Sequence, residues 1–94
     1  MNTMKPEQIA SIIQDLHGSF AVLRGRERVE ESFGGSPAWQ GEVLIFDLES
    51  HPAASQCYAW EVDGRVTAVL HEGPVDSPEA AVRAAIIAEY RSRK

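Results

Sequence analysis

The sequence predicts an α+β domain in which a three-stranded antiparallel sheet is flanked by two helices, in the order α-β-β-β-α. Three observations carry this expectation. "PEQIASIIQDLHG" repeats its apolar residues at helical spacing. "QCYAWEV" and "RVTAVLH" flank Asp63-Gly64, and an alanine-rich run from Ser77 closes the chain. An Asp-Gly pair between two β-prone runs is a strong short-range signal for a two-residue hairpin.

In the first element Ile9, Ile12, Ile13 and Leu16 fall at i, i+3, i+4 and i+7, one face of a helix. Pro6 suits the first helical position, Glu7 complements the helix dipole, and Gly18 suits the residue just past the end. Residues 19–41 read as an irregular, partly ordered connection, with Phe33 and Trp39 as anchors and Gly34-Gly35-Ser36-Pro37 as a turn or hinge. "EVLIFDL", residues 42–48, is the first expected strand. The hairpin follows after the loop around Pro52, and the last helix is expected from Ser77 to about Ser92.

A two-residue turn sets Val62 opposite Arg65, Trp60 opposite Thr67, Ala59 opposite Ala68 and Tyr58 opposite Val69. Cys57, Ala59, Val66, Ala68 and Leu70 then share one face, and Tyr58, Trp60, Val62, Thr67 and Val69 the other. The small-residue face is the expected bed for the alanine-rich helix, with both helices on that side. A sheet with two apolar faces needs two covers. The second cover is expected to be the segment before the first strand or an identical subunit.

The order of elements resembles that of the double-stranded RNA-binding domain, with Ser77 at the start of the last helix and Ala81, Ala84, Ala85 and Ala88 at its packing positions. The resemblance implies a dsRBD-like fold and, as an alternative function, nucleic-acid binding. The family's RNA-contact residues have no counterpart here. Where it carries lysines this chain has Pro78, Glu79 and Ala80, and its Gly-Pro-x-His loop is replaced by Ser50-His51-Pro52-Ala53.

Charge argues in the same direction. The net charge is −5, and between Glu27 and Val82 there are eleven acidic residues against two basic ones, Arg28 and Arg65. Affinity for nucleic acid comes from neutralising phosphates, so an acidic middle works against it. Arg24, Arg26 and Arg28 form a possible basic patch, but Glu27, Glu30 and Glu31 sit among and beside them.

The 94 residues make a single domain over 1–94, without a membrane span and without a signal-peptide core at the N-terminus. One cysteine, Cys57, forms no internal disulfide and points to the cytoplasm. Neither Cys57 with His51 and His71 nor the "DLESH" cluster has the spacing of a metal site or a catalytic triad. No catalytic, cofactor-binding or metal-binding residue is assigned, and no enzymatic activity is expected. Tyr58, Trp60 and Val69, with Trp39, form the candidate interaction surface. The expected function is that of a non-enzymatic protein-interaction or self-associating module, with a small-molecule binder as a second alternative.

Overall fold

The computed structural model describes residues 4–92. Helix α1 (Pro6–His17) leads into four strands, β1 (Phe20–Phe33), β2 (Ser36–Glu49), β3 (Gln56–Val62) and β4 (Arg65–Leu70), and helix α2 (Pro78–Ser92) closes the chain. The strands form one antiparallel meander in the order β1-β2-β3-β4. The α+β class is as expected, but the sheet has four strands rather than three.

The additional strand comes from the segment expected to be irregular. Residues 20–33 and 36–49 are two 14-residue strands joined by Gly34-Gly35. Both glycines have positive φ, 63° and 83°, which is the conformation a two-residue hairpin turn requires. Phe33 pairs with Ser36, and the ladder runs on to Phe20 opposite Glu49. Sequence alternation hides this strand because its outer half is wet on both faces. Between Arg26 and Ser32 only Val29 is buried. Two register shifts, at Leu23/Gly25 and Glu31/Ser32, break the period as well.

The β3–β4 register follows the expected pairing: Val62 lies opposite Arg65, Trp60 opposite Thr67, Ala59 opposite Ala68 and Tyr58 opposite Val69. The helices depart from expectation, since they lie on opposite faces. α1 places Ile9 and Ile13 against Leu44, Phe46, Leu48, Cys57 and Ala59, with Ala68 and Leu70 at the margin. α2 places Ala81 and Val82 against Val29, Val43, Tyr58 and Trp60, with Ala85 and Ile86 partly buried beside them.

Volume complementarity explains the exchange. On the β3–β4 part of the sheet, branched isoleucines fill the space that Cys57, Ala59 and Ala68 leave beside Leu44, Phe46 and Leu48, while an alanine-rich helix lets Tyr58 and Trp60 occupy the space beneath it. Small packed on small would leave voids, and large on large would overfill. Burial of side chains such as Ile13 and Phe46, each with no exposed surface, stabilises the fold by about 1.5–3 kcal/mol apiece.

Both helices start, and α1 stops, as their sequences direct. Lys5 N donates to the Gln8 side chain at 2.8 Å ahead of Pro6, and Gly18 closes α1 with its N–H on Gln14 O at 2.8 Å. At α2 the Ser77 hydroxyl accepts from Ala80 N at 3.1 Å, capping the first turn. α2 is held over the β1–β2 hairpin at two points along its length. Arg83 pairs with Glu31 at 3.0 Å, and Tyr90 packs on Phe33 with ring centroids 5.1 Å apart. These contacts draw α2 toward β1 and leave β4 less covered.

Candidate interaction site

A meander has two terminal strands, here β1 and β4, and each presents one row of backbone groups outward. On β4 that row can be assigned. The two-residue turn makes Val62 and Arg65 a hydrogen-bonded pair, and His71 N donates to Gln56 O at 2.9 Å. Hydrogen-bonded pairs alternate along the ladder, so residues 65, 67, 69 and 71 direct their backbone groups to β3. Those of Val66, Ala68 and Leu70 face away from the sheet.

Beside this edge lies a groove of about 780 Å³ between α2 and the β3–β4 hairpin. Its walls are Trp39, Trp60, Val69, Val82 and Ile86, with Val62 at the open end, 44% exposed. Asp63, Arg65 and Glu89 are its charged members. Trp39 tilts against Trp60 with ring centroids 5.8 Å apart. It reaches that position by lying over Gly41, where an added Cβ would come within 2.9 Å of the indole. Gly41 is therefore the residue that lets Trp39 form one end of the groove.

Tyr58, Trp60, Val69 and Trp39 do share one side of the sheet. As an open surface, however, the first two are corrected by the structure. Tyr58 and Trp60 are buried beneath α2, and Trp60 reaches the groove only as part of its floor. Val69 and Trp39 are half-buried. Val66, Ala68 and Leu70 form the edge, with Val62 beside it at the end of β3, and the three edge residues were not singled out from sequence. Their signal was the position of "VTAVL" at the end of a meander, where a strand has no outer neighbour.

The basic patch is neutralised where it stands. Arg24 pairs with Asp47 at 3.1 Å, Arg26 with Glu42 at 3.2 Å and Arg28 with Glu30 at 3.5 Å. All three arginines are more than half exposed, so the pairs add little stability. They do lower the positive potential that a phosphate would need.

The remaining chemically suggestive side chains do not converge. Cys57 is buried on the α1 face, and burial pushes its thiol up to about 12, far from a reactive thiolate at neutral pH. His71 hydrogen-bonds the Tyr58 hydroxyl at 2.6 Å on the opposite face. Burial, followed by the nearby Asp76 carboxylate, raises the Tyr58 phenol above its ordinary value. His51 accepts from Ala53 N and Ala54 N through Nδ1, at 3.0 and 3.1 Å, and so organises its own loop. Asp47, from the same "DLESH" cluster, is engaged by Arg24 and Gln56. Among the described residues no group of three or more His, Cys, Asp or Glu side chains gathers as a metal site, and no helix is long and apolar enough to cross a membrane.

Comparison with protein-family models, with curated proteins and with solved structures found no match to this chain.

Proposed function

We propose that this chain is a non-enzymatic protein-interaction domain that takes up its partner along β4, as an added strand whose side chains enter the groove under α2. One observation carries the reading: the open edge and the apolar groove are contiguous. Strand addition draws affinity from main-chain hydrogen bonds and specificity from pockets for alternate side chains, and both are side by side here. Val66 to Leu70 includes neither a charge nor a proline, the usual devices that blunt an edge.

A photo-crosslinking residue at Val62, at the open end of the groove, tests the reading in cells. An adduct of protein mass is expected there, and none from the same residue at Gln14, on the solvent side of α1. Failure of Val62 to capture any protein would end the proposal.

The groove volume supports a second reading as a small-molecule site, because ligand pockets commonly measure about 300–1,000 Å³. Its few polar members favour an apolar ligand. Native mass spectrometry of freshly purified protein would reveal one as a discrete added mass.

A further inference from the structure

We infer that the strand added to β4 is β4 of a second copy of this chain, paired antiparallel about a two-fold axis at Ala68. The inference rests on the reading of this edge as a protein-binding site and names the partner.

Self-complementarity is the first argument. With Ala68 facing its own copy, Val66 falls opposite Leu70 on the α1 side and Thr67 opposite Val69 on the groove side. The outward backbone groups of Val66, Ala68 and Leu70 then meet one another, giving roughly six new main-chain hydrogen bonds. At the ends Arg65 falls opposite His71 of the copy on the groove side and Gly64 opposite Glu72 on the other, so no carboxylate faces a carboxylate and no arginine faces an arginine.

Closure is the second argument. β1 is a poor acceptor for β4, since its ladder breaks at Leu23/Gly25 and a run of arginines and glutamates follows. Pairing of β4 with β4 uses a longer uncharged stretch of edge than Phe20–Leu23 of β1 offers and stops at two copies, as an isologous interface does.

The groove supplies the third argument. A stable interface buries at least about 1,200 Å² in total, more than a five-residue strand pair provides. A two-fold axis perpendicular to the sheet places both α2 helices on the same side of the joined sheet. The two grooves then merge, with the small Ala84 and Ala88 on their rims allowing close approach. Val62 and Val69 become covered from both copies.

Sedimentation of the full chain at tens of micromolar should show a dimer. Thr67→Lys places an ammonium beside the copy's Val69 on an exposed position and should leave a monomer with an unchanged melting profile at low concentration. Ala68→Cys should cross-link quantitatively under mild oxidation, whereas Thr67→Cys, two residues out of register with its copy, should not. A monomeric wild type overturns the inference. So does a dimer insensitive to Thr67→Lys, or one that cross-links through residue 67 instead of 68. A monomer whose Val62 still captures a different protein removes only the second copy as partner, whereas a monomer that captures nothing removes the interaction reading as well.

Discussion

The two edges of this sheet are built to opposite rules. β1 is long, broken by two register shifts, and from Arg24 onward carries charges of both signs with its arginines held in ion pairs. β4 is short and regular, without a charge between Val66 and Leu70, and opens onto an apolar groove. Only the first residues of β1 resemble β4: Phe20, Val22 and Leu23 are apolar and exposed, and the shift after Leu23 ends that stretch. An edge carries a real risk of aggregation, and proteins guard it with charge and bulges. One guarded edge beside one open edge is the pattern of a surface kept for a partner.

The largest expected effect tests whether α2 is what turns the β4 edge into a groove. Ala81 has no exposed surface and sits against Tyr58 and Trp60. Ala81→Glu should cost several kcal/mol, on the order of 3 or more, by burying an unpaired charge. Thermal unfolding followed by circular dichroism measures it; an unchanged midpoint would mean that α2 does not pack there.

Gly35→Val addresses the guarded edge. A β-branched residue at φ 83° strains the turn that aligns β1 with β2, and a loss of about 1–2 kcal/mol is expected. Amide exchange should quicken in β1 and not in β4, because the β3–β4 hairpin has its own turn. Uniform quickening would show the sheet to be a single cooperative unit.

Arg26→Val combined with Arg28→Val removes part of the guard with little change in stability, since both side chains are more than half exposed. With two open edges, association should run past the dimer to larger species. Light scattering against concentration reads this out, and a double variant no larger than wild type would indicate that the bulges alone protect β1.

The smallest effect lies where α2 begins above β1. A hydrogen bond to the Glu79 carboxyl, reinforced by its negative charge, holds the Glu27 carboxyl above its ordinary value of 4.5. Folded Glu27 therefore binds its proton more tightly than unfolded Glu27 does. The stabilisation is fully present below 4.5 and is lost as pH rises through the higher folded value, leaving two repelling carboxylates at neutral pH. Glu27→Gln should raise the melting temperature slightly at pH 7, with the advantage shrinking toward pH 4. Equal differences at both pH values would argue against the pair.

Much of the local structure was legible in the chain because it depends on near neighbours. The spacing of Ile9 and Ile13, the Ser77-Pro78 start and the Asp63-Gly64 turn each act within a few residues and appear where expected, whereas Leu16, expected on the same helix face, lies exposed past the sheet contact. β1 was illegible for a physical reason. Its residues from Arg26 to Ser32 gain little burial on either face, so no period-2 pattern marks them, although Gly34-Gly35 was itself a hairpin signal.

By itself the sequence determined the α+β class, both helices, the β3–β4 register and the division of that hairpin into a small-residue face and an aromatic face. All of these follow from spacing and turn chemistry. Which helix takes which face, and whether the aromatics lie open or covered, were decided only by the tertiary structure. Packing is a contest of volumes between elements distant in the chain: Ile9 and Ile13 against Ala59, Ala81 and Val82 against Trp60. The same contest moved the candidate surface from the faces of Tyr58 and Trp60 to the edge of β4. Helix α2, drawn toward β1 by Arg83 and Tyr90, covers the aromatics and leaves the outer backbone row of Val66, Ala68 and Leu70 without a neighbouring strand.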